Sequence, residues 1–227
     1  MHTEKSSSRI RCAVSLAACA FAFLPFATPS ALAQRASVAP PGDTPATAGP
    51  PAHLAPKLSH RDLAKAIKLV ADWQLARLPQ QAQVDWTWAA LYTGFLAIPG
   101  QVAGDKYQQA MMNVSERLDW QPGPRVMHAD DQAIGQTYLE LYKIHQDHKM
   151  IEPLMARLDE QMAAPDPTDP KKPLWWWCDA LFMAPPVYAE MYTATGDARY
   201  LDFMDREWDI TTKLLYDPAK HLSLIHI

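Results

Sequence analysis

The sequence predicts an all-α fold built as a toroid of helical hairpins, on three observations. Apolar residues recur at helical spacing once the globular part begins, as in Leu63, Ile67, Val70 and Leu78. Nothing in 59–216 alternates with period two over a useful length, so no strand is expected there. A unit of two helices and two turns also recurs. It runs from Asp85-Trp86-Thr87-Trp88 to Gly94 and then Gly104-Asp105-Lys106-Tyr107. It returns as Asp130-Asp131-Gln132-Ala133-Ile134-Gly135 followed by Asp147-His148, and as Trp177-Cys178-Asp179-Ala180-Leu181-Phe182 followed by Gly196-Asp197-Ala198-Arg199-Tyr200. Asp85, Asp130 and Asp179 are 45 and 49 residues apart. A period of about 45–50 residues suits stacked hairpins with an inner and an outer ring. In that geometry the inner helices all start at one end, which would gather Asp85, Asp130 or Asp131, and Asp179 around a common cleft.

The elements follow in order. Residues 1–33 read as an export leader: Arg9 and Arg11 lead, Cys12 to Phe26 is apolar, and Ala31-Leu32-Ala33 fits a small-x-small cleavage site. Leu16-Ala17-Ala18-Cys19 offers lipoprotein anchoring at Cys19 as a lesser alternative. The expected location is therefore periplasmic or extracellular, with no stable membrane insertion once the leader is gone. Residues 34–58 hold Pro40, Pro41, Pro45, Pro50, Pro51 and Pro56 among Ala, Thr and Gly, which makes an extended tether. The globular part, 59–220, opens with Ser59-His60-Arg61-Asp62, a capping-box pattern. Helices are expected over 60–78, 85–98, 104–119, 130–146, 148–163, 177–194 and 197–215. Six hairpins would need about twelve helices, so the ring is incomplete in this chain. Residues 221–227, His-Leu-Ser-Leu-Ile-His-Ile, look like a non-native tail, and the chain reads as a fragment.

Charge and cysteine content exclude several classes. The whole chain carries −4; Lys5, Arg9 and Arg11 against Glu4 give the leader +2, leaving −6 for the rest. An acidic chain of this kind is no general binder of nucleic acid. Cys12 and Cys19 leave with the leader, so Cys178 alone remains and neither a disulfide nor a cysteine metal site is available.

The run Trp175-Trp176-Trp177-Cys178-Asp179 carries most of the functional information. A carboxylate among tryptophans is either paired or held with a perturbed pKa for chemistry, because burying it alone is strongly unfavourable. The competing reading makes Trp175–Trp177 ordinary core and Asp179 a helix-start acid. Acids and aromatics gathered at one concave end suit sugar chemistry, where rings stack on apolar sugar faces and carboxylates move protons.

Residues from about 60 to 222 resemble the unsaturated glucuronyl and rhamnogalacturonyl hydrolases, glycoside hydrolase families 88 and 105. The segments that carry the resemblance are Asp85-Trp86-Thr87 through Gly94, His128-Ala129-Asp130-Asp131 through Gly135, and above all Trp175 through Ala184. The resemblance implies an (α/α)6 barrel, of which this chain holds barely half. It implies an oligosaccharide substrate, no metal and no cofactor. The implied reaction is hydration of the C4–C5 double bond of a terminal uronate: a carboxylic acid protonates C4, water adds at C5, and the hemiketal opens to release the sugar. Carried over by motif, Asp179 is the catalytic acid and base, its anion desolvated by Trp176, Trp177 and Phe182. Asp130 matches the second catalytic acid by its distance to Gly135, with Asp131 as its rival and otherwise a sugar ligand. Trp86, Trp88 and Trp177 are candidates for stacking on the sugar, and His128 for touching it or for capping a helix.

The family's later Arg-Gly-x-Gly-Trp segment would lie beyond Ile227. The arginine expected to meet the substrate carboxylate is then missing, and the 227-residue product is expected to have little or no activity. Two rival readings stand beside this one: another (α/α)6 carbohydrate enzyme, such as an inverting glycosidase with its carboxylates about 6.5–9.5 Å apart or an epimerase, and a non-catalytic secreted helical-repeat module that binds glycans. The sugar next to the uronate and the oligomeric state are not legible.

Overall fold

The computed structural model describes residues 59–164 and 173–223, all within the unit Ala46–Ile227. The leader 1–33, the tether 34–58 and the last residues 224–227 lie outside the described residues. The order is α1 (His60–Leu75), α2 (Trp86–Leu96), α3 (Gly100–Ala103), α4 (Lys106–Arg117), α5 (Ala129–Gln132), α6 (Ile134–His145), a 3-10 turn (His148–Met150), α7 (Glu152–Ala163), α8 (Ala180–Met183), α9 (Pro185–Thr195), α10 (Arg199–Leu215), β1 (Tyr216–Asp217) and β2 (Leu222–Ser223).

Local chemistry sets the ends. Ser59 and Asp62 form the expected capping box, with the Asp62 amide donating to Ser59 Oγ at 3.2 Å. Gly196 closes α9 at φ 75°, the left-handed conformation a glycine adopts at no steric cost. The Asp197 carboxylate then accepts from the Arg199 amide at 3.0 Å as α10 begins. The two short strands pair antiparallel, so Leu222 and Ser223, the first part of the expected tail, continue a small hairpin rather than trail off.

Two expected helices are broken, each for a visible reason. The helix expected over 130–146 tightens at Ala133 into α5 and α6, where the Asp131 carbonyl accepts from the Gly123 amide at 2.8 Å. The helix expected over 177–194 breaks at Ala184, because Pro186 has no N–H to give the Phe182 carbonyl. That carbonyl accepts instead from Gln136 Nε2 at 2.8 Å, and the Met183 carbonyl accepts from the same amide at 3.2 Å. A break in one helix thus becomes a bond to its neighbour.

Helices α2, α6 and α9 lie side by side in chain order, with α4 against α2 and α10 against α9. Gly135 is needed where α6 meets α7 and α9, since a Cβ there would sit 2.8 Å from Leu154 and 2.9 Å from Val187. The core is aromatic: Tyr188 stacks on Phe203 at 5.0 Å, Trp175 leans on both, and Tyr92, Met111 and Tyr138 are fully buried. Leu63, Ile67 and Val70 face outward, with Ile67 and Val70 lining an apolar groove of about 400 Å³ against α2.

Candidate active site

The chain enters the site through strain. Asp119 and Trp120 adopt φ of 49° and 57°, costing roughly 1–2 kcal/mol each for a residue with a Cβ. Burial of the Trp120 indole, edge-on to Tyr138 at 5.4 Å, offsets that cost. The following loop, 121–128, is held by three side chains from two helices. Tyr138 Oη of α6 donates to the Gln121 carbonyl at 2.9 Å, Gln161 Nε2 of α7 to the Val126 carbonyl at 3.0 Å, and Arg157 of α7 to the Gly123 carbonyl.

Asp131 completes this clamp, and the structure corrects the expectation that it meets sugar. It is buried, accepting from the Arg125 amide at 2.7 Å and from Arg125 Nε at 2.9 Å, with Nη2 on the same carboxylate oxygen. A Cβ on Gly123 would lie 2.5 Å from Asp131 Cγ. Both carboxylate oxygens point into the protein.

Asp130 sits one residue earlier and faces the other way. Its side chain keeps 26 % exposure, with His128 Nδ1 at 3.5 Å and Arg125 Nη2 at 3.7 Å. Burial pushes its carboxyl above the usual carboxylate range, the charges of Asp179 and Asp131 push the same way, and His128 and Arg125 oppose them. Helix α5 packs against α8, so Asp130 and Asp179 act on one another across that contact. The His128 ring meets Trp176 edge-on at 6.5 Å.

The tryptophan run divides. Residues 173–178 are not helical, and neighbouring side chains in such a segment leave on different sides. Trp175 is fully buried, and its carbonyl accepts from Thr211 Oγ1 at 2.9 Å. Trp176 is 50 % exposed and meets the partly buried Trp177 edge-on at 5.1 Å. The core reading holds for Trp175, while Trp176 is left exposed. Asp179 departs from expectation. It occupies the N-cap position of α8 with no side-chain capping bond, and it is exposed rather than enclosed, because Trp176 and Phe182 also turn to solvent.

The remaining expected residues lie on α2 or at its start. Trp88 is 6 % exposed and packs on Tyr92 in the core, which removes it as a stacking surface, whereas Trp86 is exposed. Asp85 caps α2, accepting from the Thr87 amide at 3.1 Å and from its hydroxyl. One residue that matters is not marked by the sequence motifs: Arg125, only five and six positions before two acids. Trp176 is expected to crowd Asp179, and its separation from Trp175 becomes visible only because the segment is non-helical. Among the described residues no group of three His, Cys, Asp or Glu side chains is placed to hold a metal ion.

Packed helices bring two acids together at the starts of α5 and α8, with an exposed indole in the non-helical segment just before α8. The chain belongs to Glycosyl Hydrolase Family 88, whose profile matches residues 59–224. It is similar to an unsaturated 3S-rhamnoglycuronyl hydrolase of Formosa agariphila, 33 % identical over 177 residues that cover 73 % of this chain and 47 % of that protein. A protein of the same name from an Alteromonas species is 27 % identical over 184 residues, covering 67 % of this chain and 45 % of the relative. Among solved structures, a polysaccharide lyase matches with a TM-score of 0.67 at 22 % identity, over 73 % of this chain and 50 % of the other. A family 88 glycosyl hydrolase from Bacteroides vulgatus matches with a TM-score of 0.58 at 22 % identity, over 69 % and 49 %. The chain thus carries this fold over about half the length of the proteins it matches.

Proposed function

We propose that these residues belong to a glycoside hydrolase acting on oligosaccharides that end in an unsaturated uronate, and that it works by hydrating the C4–C5 double bond. The observation that carries the reading is the pair Asp130 and Asp179 on abutting helices, beside the exposed face of Trp176. The family membership and the named activity of the two relatives support it.

In this reading Asp179 gives its proton to C4, leaving a cation shared between C5 and the ring oxygen. Water adds at C5 and returns a proton to the carboxylate. The resulting hemiketal opens by breaking the bond between C5 and the ring oxygen, and the hemiacetal left at C1 expels the neighbouring sugar. Asp130 holds sugar hydroxyls and sets the charge next to Asp179. A second reading exchanges the two roles. The upward push of burial on the Asp130 carboxyl favours it, since a shift in that direction helps a carboxyl serve as a proton donor.

The chain spans about half of its relatives' length, and we propose that its 227 residues alone turn over little substrate. An export leader over 1–33, delivering the protein outside the cytoplasm, belongs to the same proposal. The test uses the 227-residue chain beside a longer reading frame containing it, each incubated with lyase-generated unsaturated oligosaccharides. Loss of the enol-ether ultraviolet absorbance with the longer form is the expected result. Cleavage of saturated glycosides without that loss would place the protein among the rival (α/α)6 enzymes. Full activity of the 227-residue chain would overturn the fragment reading.

A further inference from the structure

We propose that Asp131 is a positioning residue that keeps Arg125 away from Asp130. The inference rests on Asp130 being an acid of the site, and it assigns Asp131 a task other than touching sugar.

The geometry is specific. Arg125 approaches Asp131 with Nε at 2.9 Å and with Nη2 on the same oxygen, while its backbone amide holds the second oxygen at 2.7 Å. This two-nitrogen grip fixes the guanidinium plane. Asp131 itself cannot swing away, because Gly123 lies directly against its carboxylate and donates to its carbonyl. The same Nη2 then stands 3.7 Å from Asp130, within ion-pair reach but beyond hydrogen-bond distance. An arginine side chain that is 55 % exposed has room to move closer if released. Held where it is, Arg125 gives Asp130 only part of the stabilisation a counter-ion can supply.

The groups facing Asp130 are His128 on the preceding loop, Arg125 on the same loop, Asp131 on its own helix and Asp179 from α8. Opposite predictions follow for two substitutions that break the same ion pair. Asp131→Asn removes a negative neighbour and releases Arg125 to close on Asp130; both effects favour the anion. Arg125→Gln removes a cation and favours the acid form. A general loosening of the loop would move Asp130 in one direction in both variants.

The measurement is a carbon-13 NMR titration of the aspartate carboxyl carbons in the 227-residue chain, with the Asp130 signal identified by its loss in Asp130→Asn. The midpoint of Asp130 is expected to fall in Asp131→Asn and to rise in Arg125→Gln. Arg125→Lys keeps the charge but cannot be gripped at two nitrogens, so there it falls. Should Asp131→Asn fail to fold, judged by far-ultraviolet circular dichroism, the Lys and Gln variants still carry the test by their opposite signs. Shifts of one sign in all folded variants, or no shift in any, would overturn the proposal. The titration needs no turnover, so its failure is separable from that of the functional reading, which rests on loss of the enol-ether signal.

Discussion

Asp130 and Asp179 act on one another across α5 and α8, yet the chain holds them in opposite ways. The loop before Asp130 is fastened by Tyr138, Arg157, Gln161 and the Arg125–Asp131 pair, so the acid arrives in a fixed, partly desolvated setting. The segment before Asp179 is anchored by Trp175 in the core, and α8 beyond it by the Gln136 amide, while Asp179, Trp176 and Phe182 face solvent. The difference teaches that a carboxylate's position in a motif does not fix its environment. The described helices cover most of Asp130 and leave Asp179 exposed.

The largest effect tests the open side. In a form of the enzyme that turns over unsaturated uronides, Asp179→Asn should lower the rate by about 10²–10⁴-fold, the range for a lost general acid. A loss within about threefold corresponds to under 1 kcal/mol of barrier and would remove Asp179 from the chemistry. The comparison would then tilt wholly toward Asp130.

The next effect tests the fastened side. Gly123→Ala forces a methyl into the Asp131 carboxylate, and it should destabilise the chain by about 1–3 kcal/mol in chemical denaturation. Gly94→Ala is the control: nothing lies within 4 Å of its added methyl, it is helical, and the change should stabilise by about 0.5–1 kcal/mol. Equal effects at both glycines would mean that the loop is not tightly held. Tyr138→Phe, which removes only the bond to the Gln121 carbonyl, should cost about 1 kcal/mol by the same assay.

The same contrast explains what was legible in the sequence. Helix periodicity, the capping box at Ser59 and the glycine at 196 are local signals, and each matches the structure. The adjacency of α5 and α8 was legible as well, because the repeat put an acid at each helix start. Side-chain direction was not. Trp88 turns into the core and Trp86 out of it because, two residues apart, they lie on different faces of α2, and Asp131 turns inward because Arg125 awaits it. Such choices depend on partners brought in by tertiary packing, which motif spacing does not encode. The enclosure expected around Asp179 required neighbours on every side, and Trp176 and Phe182 are turned to solvent instead.

The smallest effect is the most diagnostic of the fastened acid. A carboxyl raised in the folded state binds its proton more tightly there than in the unfolded chain. Its contribution to stability is fully present below the unfolded pKa and is lost as pH rises through the folded one. At neutral pH, therefore, ionised Asp130 works against folding. Asp130→Asn removes that anion and should raise stability at pH 7 by no more than about 1 kcal/mol. The gain should shrink as pH falls and vanish below the ordinary carboxylate range, where the native Asp130 is protonated in both states. Thermal melts of the two proteins across that range check the sign. A variant less stable than the native chain at pH 7 would mean that the ionised carboxylate is held by His128 and Arg125 strongly enough to outweigh its burial. Asp130 would then be a structural ion-pair partner, and the contrast between the two acids would reverse.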